Sequence, residues 1–298
     1  MPTIQEPIAL SIGTILFATD FSATSQRAEA YARAFAHHFG STVEITHVFN
    51  PSVVTSYEEA IIGFTPSIRE INCEERLRLS QRSFATAGIK TKVLMSQGLS
   101  PAKELLKIAK ESTVDLIIAG TESKTGMEQF LLGSTAEQLI RKAPCPVLTV
   151  GPNVNPPRDG HLSFNRILCA MDYSPESAKA AAFALSFAED SGAKLICCYV
   201  EDTNADGTSS HTVADGQFKQ ALRRLLPIGY FDWCVPEYFF ELGRTDEALL
   251  GLAAQVRADL IVLGACKSSF WLSHIGKGLT RSLLANAPCP ILTVPPSL

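Results

Sequence analysis

The stretch that decides the fold is APCPVLTV at residues 143–150, because it recurs as APCPILTV at residues 287–294. Seven of these eight positions are identical. The openings of the two copies also match, with ILFATDFS at residues 15–22 and ILCAMDYS at residues 167–174. Corresponding residues lie 152 positions apart at the openings and 144 at the ends, so the second copy is eight residues shorter. The sequence therefore predicts a duplicated domain.

The duplication divides the chain into two predicted domains of ordinary size. Residues 1–150 form the first domain and residues 165–298 the second. The segment 151–164, rich in Pro, Gly and Asn, is the predicted linker. The matches on either side place the shortening of the second copy between Val200 and Leu249.

The composition excludes several classes of protein. Of the 298 residues, 46% are hydrophobic and 19% are charged, which is typical of folded domains and not of a disordered chain. No run approaches the roughly 18 apolar residues that a membrane span needs. The first residues lack the basic start and the cleavage site of a secretory signal. A formal net charge of -4 argues against a protein that coats nucleic acid. We therefore expect a cytoplasmic protein with neither a membrane nor a nucleic-acid partner.

The eight cysteines support that compartment. None forms a CxxC pair, and no group of Cys and His has the spacing of zinc ligands, so no structural metal is predicted. Most lie in apolar, strand-like runs, where a free thiol packs as a small buried hydrophobic group. A redox-sensing role for the adjacent pair Cys197 and Cys198 is the alternative.

Each half has the pattern of strands alternating with helices. Such alternation indicates an α/β fold, in which each domain is a five-stranded parallel sheet with helices on both faces. Ligands of these sheets bind at the carboxyl ends of the strands, near the point where the strand order reverses. The predicted strands are 14–19, 42–49, 90–95, 115–119 and 147–150 in the first half and 167–171, 194–200, 235–241, 259–263 and 291–294 in the second. The predicted helices include 67–87, 101–110, 134–141, 217–226, 246–256 and 279–285.

The loop after the fourth strand of the first half has the composition of a phosphate site. It begins at Gly120 and ends in Gly133, Ser134 and Thr135, which open the next helix. Glycine lets a backbone approach a phosphate closely, and the amides at a helix N-terminus bind anions together with Ser or Thr hydroxyls. A loop turn followed by a helix N-cap is the alternative interpretation of the same residues.

These residues and their flanks, KTG, LLGS and PVLTV, resemble the universal stress protein family over nearly the whole of both halves. The resemblance implies an α/β domain of the kind that binds adenine nucleotides through a G-x2-G-x9-G-[S/T] pattern. Gly120, Gly133 and Ser134 match that pattern, whereas Ser123 stands where the second glycine is expected. Ser123 brings a Cβ atom that disfavours a left-handed backbone and a hydroxyl that can bond a phosphate or a ribose.

The resemblance also implies the adenine side of the site. Asp20, after the first strand, resembles the family's adenine-contacting Asp, with the backbone of Ala18 and Thr19 beside it. Val48, at the end of the second strand, resembles the apolar residue that lies against the adenine ring. An acidic group that complements the dipole of the following helix is the alternative role for Asp20.

The second half has lost most of the loop pattern. Lys267 stands at the position of Ser123, Lys277 at that of Gly133 and Gly278 at that of Ser134, while Asp172 and Val200 keep the adenine-side positions. We expect a degenerate copy that is kept for packing. A phosphate contact from Lys277, which two glycines flank, is the alternative.

The leading hypothesis is a tandem universal stress protein, a stress-response regulator that binds ATP or AMP, with or without Mg²⁺, mainly in its first domain. No catalytic residue is predicted, and any ATP hydrolysis is expected to be slow. A nucleotide-free interaction protein with vestigial sites is the alternative. A nucleotide-dependent enzyme is disfavoured, because the chain has neither G-x-G-x-x-G after the first strand nor G-x-x-x-x-G-K-[ST].

The fifth strands, PVLTV and PILTV, suggest how the halves assemble. An edge strand presents unpaired backbone groups, and the resemblance implies pairing through this edge. We predict that the two halves satisfy each other as an intrachain pseudo-dimer. Association of two chains into a homodimer is a further prediction.

Overall fold

The computed structural model describes residues 10–50, 68–121, 134–172, 174–201, 236–265 and 279–295. In the first half, strands and helices alternate as the sequence predicts. The strands are β1 (Thr14–Ala18), β2 (Thr42–Phe49), β3 (Thr91–Gln97), β4 (Leu116–Gly120) and β5 (Val147–Val150). The helices are α1 (Ala23–Phe39), α2 (Ile68–Thr86), α3 (Pro101–Glu111) and α4 (Ser134–Lys142).

The second half repeats this order within the described residues. The strands are β6 (Arg166–Met171), β7 (Lys194–Glu201), β8 (Glu237–Leu242), β9 (Leu260–Gly264) and β10 (Ile291–Val294). The helices are α5 (Pro175–Ser191), α6 (Thr245–Gln255) and α7 (Leu279–Asn286). The predicted strands agree with the observed ones to within two residues at each end. The predicted helix at 217–226 lies outside the described residues.

All ten strands form one sheet in the order β3-β2-β1-β4-β5-β10-β9-β6-β7-β8. Every neighbouring pair within a half is parallel, which confirms the two predicted five-stranded parallel sheets. β5 and β10 pair in the antiparallel sense, with Leu148 opposite Leu292. The predicted pairing of the two fifth strands is therefore confirmed, and it joins the halves into a single continuous sheet.

The helices cover both faces of the sheet and enclose two apolar cores. One core lies under α1, α2 and α5 and includes Phe17, Phe35 and Phe84. The other lies under α3, α4, α6 and α7 and includes Leu16 and Val48. Because successive side chains of a strand point to opposite faces, each strand contributes to both cores, as its continuous apolar run predicts.

The two halves use the same devices to begin and end their first helix. Ser22 accepts a hydrogen bond from the Ser25 amide at the start of α1, and Ser174 accepts one from the Ser177 amide at the start of α5. Both helices end at a glycine in the left-handed conformation, Gly40 with φ 69° and Gly192 with φ 66°. The sequence predicts the first of these boundaries from its N-cap serine and its C-cap glycine, and the structure confirms it.

The junction between the halves has approximate twofold symmetry. Leu148 and Leu292, which lie opposite each other, occupy equivalent positions of the two copies, since they are 144 residues apart. The rings of Phe35 and Phe187, equivalent at a spacing of 152, pack edge to face with centroids 6.0 Å apart. The twofold axis therefore passes between β5 and β10 and between α1 and α5.

The segment predicted as the linker packs against both halves. Val154 and Phe164 are buried in the core under α1 and α5. The Tyr31 hydroxyl of α1 donates a hydrogen bond of 2.9 Å to the Asn155 carbonyl, and the Asn153 amide donates to the Ala285 carbonyl of α7. This connection is thus part of the interface between the copies.

Most of the described cysteines are buried, as the sequence predicts. Cys145, Cys169 and Cys289 lie in the cores, and Cys197 and Cys198 are inaccessible on β7. Burial, with a smaller contribution from Glu241, raises the pKa of the Cys198 thiol to about 12. These properties favour packing over a redox role for the adjacent pair. Cys73 on α2 differs, because it is partly exposed.

Candidate functional site

The predicted adenine-side residues meet at the carboxyl edge of the first half's sheet. In the register of β1 and β2, Ala18 pairs with Thr46, which brings Asp20 to the level of Val48 two positions further on. In the register of β1 and β4, Ala18 pairs with Ala119, which brings Thr19 to the level of Gly120. The strand order reverses between β1 and β4, so these residues flank the topological switch point at which ligands of α/β sheets bind.

Asp20 organises the turn between β1 and α1. Its Oδ1 accepts hydrogen bonds from the Ser22 amide at 2.9 Å and from the Ser25 hydroxyl at 2.5 Å. The Asp20 amide in turn donates to the Ser25 hydroxyl oxygen at 3.3 Å. These bonds hold the carboxylate beside the N-terminus of α1, where the helix dipole also favours a negative charge.

The second half builds the same turn around Asp172. Its Oδ1 accepts hydrogen bonds from the amide and the hydroxyl of Ser174, and the Asp172 amide donates to the Ser177 hydroxyl at 2.9 Å. Helix capping by this carboxylate is therefore common to both copies. The structural role that the sequence offers as the alternative for Asp20 is present, and it does not distinguish the halves.

Gly120, at the end of β4, packs directly against the first turn of α1. A Cβ atom on Gly120 would lie 2.7 Å from the Ser25 amide nitrogen and 2.8 Å from the Thr24 carbonyl carbon. Both are backbone atoms, which have no rotamer by which to move away. The close approach that makes glycine necessary at this position is thus to α1, a contact that the loop pattern alone does not predict.

The remaining predicted residues belong to the phosphate side of the site. Ser134 is the first residue of α4, and Thr135 is partly exposed within its first turn. Ser123 and Gly133 lie outside the described residues, and so do the second-half residues Lys267, Lys277 and Gly278. α4 begins on the same side of the sheet as the core that contains Val48.

The structure adds a residue that the sequence did not single out, His47 on β2. The Thr19 amide donates to the Thr46 carbonyl at 2.9 Å, and His47 Nδ1 donates to the Thr19 carbonyl at 2.8 Å. β2 thereby fixes both backbone groups of the residue that precedes Asp20. The side chain of His47 lies on the opposite face of β2 from Val48, since the two residues are adjacent in the strand.

Phe21 connects this turn to α2. Its backbone has φ 63°, a left-handed conformation that is uncommon for a bulky side chain. Its ring stacks on His47 with centroids 4.6 Å apart, and the Arg76 guanidinium lies 4.5 Å from its centroid. Arg76 Nη2 also donates to the Phe21 carbonyl at 2.9 Å. No local signal predicts this conformation, because tertiary contacts with β2 and α2 impose it.

Two searches of the described residues bear on partners. No described helix is long and apolar enough to cross a bilayer. Among the described residues, no group of three or more His, Cys, Asp or Glu side chains is arranged to hold a metal ion.

The site and its sheet define a class of protein, a tandem α/β protein with the nucleotide-binding type of domain. The model of the universal stress protein family matches residues 11–151 and 163–295, which together span most of the chain. The chain belongs to the universal stress protein family. The resemblance expected from the sequence is therefore confirmed for both halves.

Individual relatives agree with this assignment. The chain is 30% identical over 151 residues to universal stress protein MJ0577 of Methanocaldococcus jannaschii, an alignment that covers 46% of this chain and 93% of that protein. It is 33% identical over 137 residues to universal stress protein MJ0531 of the same organism, covering 46% and 80%.

Solved structures show the same fold over the whole chain. A universal stress protein from Archaeoglobus fulgidus superposes with a TM-score of 0.68 at 19% identity, covering 95% of this chain and 98% of that one. A putative universal stress protein from Pseudomonas aeruginosa gives a TM-score of 0.63 at 17% identity, covering 96% and 94%. The arrangement of ten strands is thus shared with proteins of the same length class.

Proposed function

We propose that this universal stress protein is a stress-response regulator that binds an adenine nucleotide, ATP or AMP, mainly in its first half. The observation that supports this proposal most directly is the alignment of Asp20, Val48 and Gly120 at the switch point of the sheet. The proposed site comprises Ala18, Thr19, Asp20, Val48, Gly120, Ser123, Gly133, Ser134 and Thr135.

The chemistry of the described groups fits an adenine nucleotide. A carboxylate accepts hydrogen bonds only, and the amino group of adenine is a donor, so Asp20 is suited to hold it. Val48 offers an apolar surface to a ring on the face that α4 covers. The amides at the start of α4 point toward the carboxyl edge, where an anion is favoured by the helix dipole. Bound nucleotide would supply a phosphate group whose presence or absence the protein reports to a partner.

The duplication offers a matched test of the adenine side. Asp20→Asn and Asp172→Asn each remove one carboxylate and keep an Oδ1 that can accept the amide hydrogen bond of the following serine. We expect Asp20→Asn to weaken ATP binding by about tenfold to a hundredfold, since a hydrogen bond to a charged group contributes about 1.5–3 kcal/mol. Asp172→Asn should leave the affinity of the first half unchanged. Calorimetric titration of both purified variants with ATP and with AMP measures the difference.

The nucleotide-free alternative makes opposite predictions. Denaturing freshly purified protein and separating the released small molecules by chromatography should yield an adenine nucleotide at no more than one per chain. Gly133→Val, at a residue of the proposed phosphate loop, should abolish binding while the circular dichroism spectrum stays unchanged. Absence of bound nucleotide together with identical titrations for wild type and Asp20→Asn would reject nucleotide binding in favour of an interaction protein.

A homodimer also remains a proposal, with one constraint from the fold. β5 and β10 pair with each other inside the chain, so neither edge is available to a second copy. Two chains must therefore associate through another surface. Light scattering at several protein concentrations tests this, and a monomeric mass throughout would contradict it.

A further inference from the structure

Cys73 on α2 and His47 on β2 form a nucleophile and base pair on the face of the sheet opposite Val48. The Cys73 sulfur lies 3.5 Å from His47 Nε2, within hydrogen-bond distance for sulfur. Cys73 is partly exposed, whereas Cys145, Cys169 and Cys289 are buried. Among the described cysteines it thus combines access to solvent with a neighbouring base.

The hydrogen bond to Thr19 sets the protonation of the imidazole ring. A carbonyl oxygen only accepts, so the Nδ1 atom of His47 that contacts the Thr19 carbonyl at 2.8 Å carries the hydrogen. In the neutral ring Nε2 is then an acceptor, and it faces the Cys73 thiol. This is the arrangement of an activated thiol, with a nucleophile, a base and a third group that orients the base.

The surroundings hold the base in place and add a positive charge. His47 is buried and stacks on the Phe21 ring, whose far contact is the Arg76 guanidinium. Arg76 follows Cys73 by three positions on α2, so the two side chains share one face of the helix. A cation there favours negative charge that develops on sulfur and attracts an anionic reaction partner.

We infer that Cys73 is a modification site that reacts with small disulfides, with His47 as its general base. As the Cys73 sulfur attacks one sulfur of the disulfide, its proton passes to His47 Nε2. A new S–S bond forms to Cys73, the original S–S bond breaks, and the leaving thiolate takes the proton from His47. Cys73 is oxidised to a mixed disulfide and the released half is reduced to a thiol, so atoms and electrons balance.

This site does not depend on the proposed nucleotide site and goes beyond it. The second half has no equivalent pair, because Tyr199 occupies the position of His47 in β7. The chain therefore supplies its own replacement residue for a test. His47→Tyr removes the base, and Tyr199→Phe at the equivalent position is the matched control.

The experiment follows the reaction of the fully reduced, full-length protein with dithiobis(nitrobenzoate), a small anionic disulfide that releases a coloured thiolate. We expect a fast phase of one thiolate per chain, which peptide mapping assigns to Cys73 and which Cys73→Ser abolishes. His47→Tyr should slow this phase by about a hundredfold, the lower end of the usual range for a general base. Tyr199→Phe should leave it unchanged.

A second measurement keeps the inference testable if His47→Tyr fails to fold. The rate at Cys73 in the native wild-type protein is compared with the rate of the same thiol in the urea-unfolded chain, where no base is positioned. We expect the native rate to be at least about tenfold higher, because a positioned base acts only in the folded state. First labelling of another cysteine, a native rate below the unfolded rate, or an unchanged rate in folded His47→Tyr would each overturn the proposal.

Discussion

The two halves of this chain share a scaffold and differ in the residues placed on it. In both, a carboxylate at the amino edge of the sheet accepts two backbone amides: Asp115 from Gly13 and Thr14, and Asp259 from Asn165 and Arg166. The turns around Asp20 and Asp172 are likewise equivalent. The difference begins beyond these devices, where the first half has His47 and the second has Tyr199.

This contrast separates residues that hold the fold from residues that are available for chemistry. A group that makes the same hydrogen bonds in both copies is explained by the scaffold alone. A group found in one copy, such as the pair of Cys73 and His47, has no such explanation. The comparison therefore gives each substitution an internal control at the equivalent position, and the largest effects are expected where the copies touch.

Phe35→Ala and Phe187→Ala should have the largest effects. Both rings are almost fully buried at the twofold junction, so each substitution should lower the free energy of unfolding by about 3–5 kcal/mol. Because the rings contact each other, the double variant should lose about 0.5–1.5 kcal/mol less than the sum. Urea unfolding of the four proteins measures this coupling. Strictly additive losses would show that the junction does not unite the two copies energetically.

Gly120→Ala should lower the free energy of unfolding by about 1–3 kcal/mol, because its Cβ would overlap backbone atoms of α1. Gly251→Ala in α6 is the control. A Cβ there meets nothing within 4 Å, and alanine is the better helix former by about 0.8–1.0 kcal/mol. The two substitutions should thus shift the urea midpoint in opposite directions, and equal shifts would contradict the tight contact at Gly120.

The sequence predicts the scaffold well because its signals are local. Apolar runs, an N-cap at Ser22 and a glycine at residue 40 determine where strands and helices lie, and the repeat predicts how the fifth strands pair. The contacts of His47 could not be predicted in this way. They depend on α2 lying over β2 and on a left-handed Phe21, and both follow from tertiary packing between segments that are distant in the chain. The role of Gly120 was likewise hidden, since its neighbour α1 is far away in sequence.

Asp246 tests a difference between the halves at the start of an equivalent helix. In α6 its buried carboxylate is held by Arg244, whereas α3 has Ala102 at this position. Burial alone would raise the pKa of Asp246, but hydrogen bonds from Arg244 and Ser282 and the charge of Arg244 lower it below the ordinary value. Stability from this lowered pKa is present above the pKa of the unfolded state and is lost as pH falls through that of the folded state.

Asp246→Asn should therefore lower the free energy of unfolding by about 1 kcal/mol at neutral pH, a typical contribution for a hydrogen bond whose charged partner is solvent-exposed. The difference from wild type should shrink as the pH falls below about 4, where the aspartate protonates in both states. Unfolding curves at several pH values check this. Ala102→Ser, a change at the equivalent position of α3, should show no such pH dependence, and a loss for Asp246→Asn that is constant with pH would contradict the assignment.

The smallest effect concerns His38 and Asp190, which occupy equivalent positions of α1 and α5 and face each other across the twofold axis. His38 Nε2 donates to the Asp190 carboxylate at 2.6 Å. Two identical copies would place His against His or Asp against Asp here, so only a tandem chain can put complementary groups at this position. His38→Asp should lower the free energy of unfolding by up to about 1 kcal/mol, since like charges on a partly exposed pair repel weakly. Exchanging the two residues, His38→Asp with Asp190→His, should restore stability because the axis makes the positions interchangeable; an exchange that stays as unstable as the single variant would show that the two positions are not equivalent in energy.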